Sequence, residues 1–368
     1  MQRRVAYILD GSTAVTGALV SAREIARALD GDVEVTLVLS DTAEIPAEAL
    51  ADFAAVRRVA IRPLRRSLRA VLGYFPFLCV AAVQLRLLMW RDGARCLIVN
   101  DFYLMQGVLL RLLAFRGRIL TWVRIDPAAF GRIARLWIWA AARASDRLVA
   151  VSRHIRSLLP GTVYADVLYN PVSGEFLARA PDSATSDRSF VFVGNYIQGK
   201  GQDVALEALA RVLKEIPDAR LEFHGGDMGL GRNRAYRTAL EERAEDLGIR
   251  EAVHFGGFSA DPRRVMSGKL AALNLSRSES FSRTVLEASA SGLPVIATRC
   301  GGPEEIIVEG RTGFLVPVGD AEACACRMIE LCQSPATARR MGEAGRDHVM
   351  SSFSPAAFRD RLRALLEL

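Results

Sequence analysis

The feature that most constrains this chain is a repeat that runs through it twice: a short apolar run, then a segment of helical period. Residues 4–9 (RVAYIL), 33–39, 96–100 (CLIVN), 119–123 and 147–151 (RLVAV) read as buried strands, with helical patterns over 18–29, 103–115 and 131–144. Strands apolar on both faces, alternating with helices, belong to a parallel sheet covered on both sides. The stretch 171–189 (PVSGEFLARAPDSATSDRS) is rich in Ser, Ala, Pro and Asp and breaks the pattern. The repeat restarts at 190–193 and continues through 220–224, 253–255, 271–275, 295–298 and 313–316. A last amphipathic segment, 358–368, follows the SFSP break at 352–355. With 368 residues, 51% of them apolar, there is material for two cores. The expected architecture is α/β, two Rossmann-like domains facing each other across a cleft. They span residues 1–172 and 189–350, with a linker over 173–188 and a C-terminal helix at about 355–368 packing back on the first. Ligands of such sheets bind beyond the carboxyl ends of the strands, so functional residues are sought in the loops that follow strands.

Six cysteines show no paired spacing and only four histidines accompany them. That pattern predicts no metal site and reduced thiols in a cytoplasmic setting. The start, MQRR, runs straight into a strand-like segment and reads as no signal peptide. The longest apolar stretch, roughly 71–83, is broken by Pro76 and falls short of the about 20 residues that cross a bilayer. Charge is uneven. Residues 1–180 hold 24 arginines, no lysine and 15 acids, while the rest of the chain is slightly acidic. Arg57, Arg58, Arg62, Arg65, Arg66 and Arg69 precede the apolar run. They fit either an anionic membrane surface or a solvated arginine face. No nucleic-acid motif accompanies the charge, so no nucleic-acid partner is expected.

Four loops carry chemistry. The first, DGSTAVTGA (10–18), places Gly17 at a helix start, where backbone amides can approach a phosphate. In VGNYIQGKGQD (193–203) glycines flank Lys200, one of only three lysines in the chain, just before a helix. GGF at 256–258 would seat a flat base, or simply end a strand with a core phenylalanine. The most telling is ESFSRTVLEASASGLPVIATRCGGPEEI (279–306). With a helix starting near Ser282, the amides of Arg283 and Thr284 point at an anion and Glu287 lies about one and a half turns along. A carboxylate there can accept two hydrogen bonds from neighbouring ribose hydroxyls, while Glu279 reaches a sugar on the far side of the phosphates. A solvated loop glutamate and a helix-face glutamate remain the ordinary alternative. Asp30-Gly31-Asp32 has metal-binding acidic spacing, but it joins a helix to a strand at the amino end of the sheet and reads as a turn.

Glu279, Glu287, Ala288, Gly292, Pro294-Val295-Ile296-Ala297, Gly301-Gly302, Glu305 and Thr312-Gly313-Phe314-Leu315-Val316 resemble the donor-site signature of the retaining glycosyltransferases of family 4. Gly194, Lys200-Gly201, Gly225-Gly226, Val253-His254-Phe255, Ser152 and Asn170-Pro171-Val172 extend the likeness. The resemblance implies the GT-B fold and transfer from a UDP- or GDP-sugar with retention and without a required metal. It implies that Glu287 holds the ribose, and that Lys200 and Ser282, with the amides of Arg283 and Thr284, hold the diphosphate. Glu279 would touch sugar hydroxyls, Phe258 and the backbone near Arg263 the base, and Gly17 would close over the diphosphate. The implied acceptor is a saccharide or a lipid-linked saccharide, in cell-surface polysaccharide or lipopolysaccharide synthesis at the inner face of a membrane. Three positions depart from the family. Asn195 stands where an arginine is usual, leaving Arg232 or Arg277 as substitutes. TWVRIDP (121–127) lacks the usual histidine, which gives Arg124 or Asp126 that role. Ser280 and Ser282 replace glycines. A nucleotide-sugar 2-epimerase of the same fold and a non-catalytic sugar-nucleotide-binding protein share much of the pattern. A dehydrogenase does not, because the first loop lacks G-x-G-x-x-G.

Overall fold

The computed structural model describes residues 4–62, 68–178 and 188–367, and divides into two compact units. The first comprises Met1–Pro171 with Pro355–Leu368, the second Val172–Ser354.

The first unit is built from β1 (Arg4–Leu9), α1 (Gly17–Leu29), β2 (Val33–Ser40), β3 (Ala55–Val59), α2 (Leu68–Arg91), β4 (Cys96–Val99), α3 (Gln106–Leu112), β5 (Arg118–Val123), α4 (Ile133–Ala144), β6 (Arg147–Ala150), α5 (Arg153–Ser157) and β7 (Asp166–Val167). The second has β8 (Ser189–Val193), α6 (Gln202–Val212), β9 (Arg220–His224), α7 (Gly231–Asp246), β10 (Val253–Phe255), α8 (Pro262–Met266), β11 (Ala271–Asn274), α9 (Arg283–Ala290), β12 (Val295–Thr298), β13 (Gly313–Val316), α10 (Ala321–Gln333) and α11 (Pro335–Ser352). The last helix, α12 (Pro355–Leu366), belongs to the first unit.

Both sheets are parallel and doubly wound. The first runs β3-β2-β1-β4-β5-β6-β7 and the second β10-β9-β8-β11-β12-β13. In each, the order reverses beside the first strand, between β1 and β4 and between β8 and β11. The chain leaves those two strands in opposite directions, which opens a crevice at their carboxyl ends.

Alternate residues of the strands feed two layers. In the first unit Leu19, Ala22 and Ile25 of α1 pack with Phe358, Leu362 and Leu365 of α12 on one face of the sheet. Ala81, Ala82, Leu85 and Met89 of α2 and Leu110 of α3 cover the other. In the second unit Phe192, Phe223 and Phe255 stack across three neighbouring strands at 5.5 and 5.3 Å, under Leu206, Leu209 and Val212 of α6.

Several sequence expectations change. Residues 55–59 (AVRRV) form an edge strand, β3, because an edge needs little apolar surface. Within the cluster, Arg58 stays exposed while Arg57 and Arg62 are part-exposed, and each has a local partner. Arg57 pairs with Asp92 at 3.5 Å, Arg58 donates to the carbonyl of Ala43 at 2.6 Å, and Arg62 pairs with Asp41. Arg65 and Arg66 lie outside the described residues, as does the side chain of Arg69. The helix expected over 103–115 is confined to Gln106–Leu112, and α2 runs on through Pro76. Residues 173–178 pack within the second unit, because Phe176 is buried and Arg346 donates to the carbonyls of Phe176 and Leu177. Residues 179–187 of the expected linker lie outside the described residues. Asp30-Gly31-Asp32 is the turn from α1 to β2, with Gly31 at φ +86° and Asp32 paired to Arg363 at 3.0 Å.

All four tryptophans lie in the first unit, so their fluorescence follows its unfolding. Leu362 is fully buried between α1 and the sheet. Leu362→Ala is expected to lower the stability of that unit by about 2–5 kcal/mol, read as a lower urea midpoint in tryptophan fluorescence. An unchanged midpoint would mean that α12 is not part of that core.

Candidate active site

Two loops leave the second sheet at its reversal point, 194–201 after β8 and 275–282 after β11. The backbone stitches them together. The amide of Arg277 donates to the carbonyl of Gly199 at 2.9 Å. Gly201 has φ +90°, and a Cβ there would run into the carbonyl of Leu275, so only glycine admits this approach. The outcome is an ion pair that spans 79 positions of sequence: Lys200 Nζ lies 2.7 Å from Glu279 Oε1. The Ser276 hydroxyl donates to the same oxygen at 2.7 Å. Glu279 is mostly buried, while Lys200 keeps a third of its side chain exposed.

The backbone of Glu279 is fixed as well. Its carbonyl accepts from the amide of Gly302 at 2.8 Å, and a Cβ on Gly302 would collide with the backbone of Phe281. The Gly301-Gly302 pair is therefore a condition for holding the first glutamate. Ser282 caps α9 in the left-handed region, φ +62°, and its hydroxyl accepts from the amide of Val285 at 3.4 Å. Arg283 and Thr284 supply first-turn N–H groups that a helix cannot satisfy internally. Glu287 is the fifth residue of α9, and its Oε1 lies 3.5 Å from Arg283 Nη2. The same Nη2 donates to the Ser173 hydroxyl at 2.8 Å. The side chain of Arg283 thus orients Glu287, a role its sequence position did not announce.

The other predicted residues are placed as follows. The Asn195 side chain accepts from the amide of Gly226 at 3.0 Å, while the backbone amide of Tyr196 donates to the Gly226 carbonyl at 3.0 Å. Asn195 therefore clamps the loop after β9 to the loop after β8. Phe258 is 73% exposed, and its Cβ lies against Gly226. Arg263 is wholly engaged: Asp261 takes its Nε at 2.8 Å, its Nη2 at 2.9 Å and its amide at 3.1 Å. Arg277 is exposed on the Glu279 loop, and Arg232 is exposed on α7. Gly17 is the exposed first residue of α1 in the first unit, behind the Thr16 cap. Asp126 caps the turn Pro127–Phe130, accepting from the amide of Ala128 at 2.8 Å.

Residues 175–348 match the family described as Glycosyl transferases group 1. The match spans just under half of the chain. The chain is 31% identical over 256 residues to a GDP-mannose-dependent alpha-(1-6)-phosphatidylinositol monomannoside mannosyltransferase of Mycolicibacterium smegmatis, covering 64% of this chain and 65% of that protein. It is 35% identical over 194 residues to a D-inositol 3-phosphate glycosyltransferase of Corynebacterium urealyticum, covering 51% and 43%. The chain thus spans roughly half to two thirds of the length of these curated relatives. Among solved structures, Anabaena HepE in complex with UDP and glucose superposes with a TM-score of 0.83 at 19% identity over 98% of this chain and 99% of that one. Sucrose-phosphate synthase from Thermosynechococcus elongatus gives 0.82 at 19% over 99% and 98%. The fold is GT-B.

The matched residues all lie in the second unit. The first unit's reversal point carries a polar network whose members Asp10, Arg124 and Asn170 the sequence reading named without joining them. The Asn100 amide donates to Asp10 and to the carbonyl of Ala18, the latter at 3.0 Å. Arg124 Nε donates to Asn100 Oδ1 at 2.8 Å and its Nη1 to Asn170 Oδ1 at 3.2 Å. Asp101 accepts on Oδ1 from the amides of Phe102 at 2.9 Å and Arg124 at 3.3 Å, and its other oxygen is buried without a partner among the described residues. Polar residues just past β1, β4 and β5 were the available signal, but they read as strand ends. Burial pushes the Asp101 carboxyl up to about 7, outweighing the two amides and the nearby Arg124 charge that favour ionisation.

A carboxyl raised in the fold stays protonated where the unfolded chain is already ionised. Its contribution to stability is whole below about pH 4 and is lost as pH rises through about 7. Thermal or urea unfolding of the first unit should therefore show stability falling across that window by up to roughly 4 kcal/mol. Asp101→Asn should flatten the fall. Parallel pH profiles for the two proteins would show that Asp101 ionises normally.

Proposed function

We propose that this chain is a retaining glycosyltransferase. It moves a sugar from a UDP- or GDP-sugar to a saccharide or lipid-linked acceptor in cell-surface polysaccharide or lipopolysaccharide synthesis, working at the cytoplasmic face of a membrane. The observation that carries this reading is the joining of Lys200 to Glu279 beside the first turn of α9, with Glu287 on the same helix. Cation, helix amides and two carboxylates then stand in the order that diphosphate, sugar and ribose require. Names of relatives that use GDP-mannose or make lipopolysaccharide core support the donor and acceptor classes.

The residues divide the work by charge. The diphosphate lies at the amino end of α9, where the amides of Arg283 and Thr284 and the helix dipole favour anions. Lys200 has three donors, so it can keep Glu279 and still reach a phosphate oxygen. Glu287, oriented by Arg283, accepts from ribose hydroxyls, and the second oxygen of Glu279 accepts from the transferred sugar. As the bond from anomeric carbon to phosphate oxygen breaks, negative charge grows on the leaving diphosphate, where Lys200 and the amides already point. The acceptor oxygen bonds to the anomeric carbon on the same face, and its proton passes to the departing phosphate oxygen. Lys200 and the helix supply the positive charge of the step, so the reaction needs no metal.

Release of nucleoside diphosphate from UDP-glucose, UDP-N-acetylglucosamine and GDP-mannose, with a bacterial lipid extract as acceptor, tests this. Lys200→Ala should slow turnover about 10²- to 10³-fold, and EDTA should leave it unchanged. The product's anomeric configuration, read by NMR, should match the donor's. Undiminished turnover in Lys200→Ala, inversion, loss with EDTA, or donor conversion without an acceptor would each contradict the proposal.

A further inference from the structure

Three neighbouring helices of the first unit carry no negative charge. α2, α3 and α4 lie side by side on one face of the sheet, with α3 packed against both neighbours. None of the three helices contains an aspartate or a glutamate, yet all three contain arginine. Outward positions of a surface helix are ordinarily charged or polar. Here many of them are apolar. α2 turns Leu78, Ala81, Ala82, Leu85 and Met89 inward and leaves Val80, Val83, Leu87 and Trp90 outside, Trp90 being 73% exposed. These four recur at helical spacing and form one stripe. α4 repeats the arrangement, burying Ala134, Ile138 and Ala141 and exposing Ile133, Leu136 and Trp139. Leu112 at the end of α3, 77% exposed, lies between.

The cations on this side differ from those the sequence singled out. Arg57, Arg58 and Arg62 are engaged elsewhere, as described above. Arg86, Arg116, Arg132 and Arg135 have no carboxylate partner among the described residues. Arg143 lies 4.4 Å from the centre of the Trp139 ring. A guanidinium beside a half-exposed aromatic ring suits a boundary at which the ring enters an apolar layer and the cation stays level with phosphates. Self-association through this face would set arginine against arginine with no acid on these helices to offset it. No helix of the described residues is long and apolar enough to cross a membrane, so contact along the surface is what these helices can make.

We propose that the outer face of α2, α3 and α4 docks on an anionic phospholipid bilayer. The Val80–Val83–Leu87–Trp90 stripe and Trp139 sink to the acyl boundary, and Arg86, Arg132 and Arg135 meet headgroup phosphates. This deepens the reading of a lipid-linked acceptor given above, since a chain held on the bilayer meets such an acceptor in two dimensions. The commitment is to lipid, and an acidic protein or a second copy of the chain are outcomes of the test.

The test is flotation of the full chain with vesicles of phosphatidylcholine, with and without phosphatidylglycerol. Nucleoside-diphosphate binding is measured on the same preparations. The wild-type chain should float with the phosphatidylglycerol vesicles and be released by salt. Leu87→Asp, at an exposed position that leaves the core intact, should lower the partition coefficient about tenfold or more, and Arg132→Glu with Arg135→Glu should do likewise. Nucleotide binding should be the same in all of them. Three results would overturn the proposal: no flotation with phosphatidylglycerol vesicles at low salt, flotation indifferent to both sets of substitutions, or a dimer in sedimentation that Leu87→Asp dissociates and that binds no vesicle. A chain that binds nucleotide but not vesicles loses the docking face and keeps the transferase reading.

Discussion

The ion pair between Lys200 and Glu279 is the contact on which the rest of the site depends. It exists because the second sheet reverses its strand order between β8 and β11, so that two loops far apart in sequence emerge side by side. A lysine and a carboxylate held this close cost desolvation, and the pair persists because the hydroxyl of Ser276 and a rigid backbone hold it in place. The rigidity comes from glycine. Gly201 lets one loop touch the carbonyl of Leu275, and Gly302 lets another touch Phe281. Each glycine marks a place where two main chains meet, and the carboxylates and the cation are arranged around those meetings.

The two units use one topology in different ways. At the reversal point of the second sheet, charged groups stay partly open and face the first turn of a helix. At the reversal point of the first sheet, Asp10, Asn100, Asp101, Arg124 and Asn170 form a buried network in which one carboxylate oxygen has no partner among the described residues. The same crevice therefore carries a part-open ion pair in one unit and is filled by buried polar side chains in the other. The helices around the first sheet diverge too: α1 and α12 seal one face, while α2, α3 and α4, which carry no acid, leave apolar side chains to the exterior.

Much of the fold was legible because parallel strands buried on both faces are continuous apolar runs, and those runs stand out between helical stretches. Strands that lack this property were invisible. β3 carries two arginines on an edge, and β7 has only two residues. In the site, Glu279, Ser282, Arg283, Thr284 and Glu287 were legible because one loop and one helix carry them all, so local spacing fixes their relation. What the sequence could not express was pairing between segments. Nothing in the spacing said that Lys200 bonds to Glu279, that Asn195 clamps the Gly225-Gly226 loop, or that the Arg263 side chain turns back to Asp261. The partners of Arg57, Arg58 and Arg62 were hidden for the same reason: Asp41, Asp92 and the carbonyl of Ala43 reach them from other elements.

The most direct test of the site is calorimetric titration of UDP and GDP into the wild-type chain and into Glu287→Ala. If α9, Lys200 and Glu287 together hold a nucleoside diphosphate, the wild type should bind one of the two bases preferentially. Losing the hydrogen bonds from a charged carboxylate to two hydroxyls should then weaken that binding by about a hundredfold. Equal affinity in the variant, or no binding of either nucleotide by the wild type, would contradict a donor site at the head of α9.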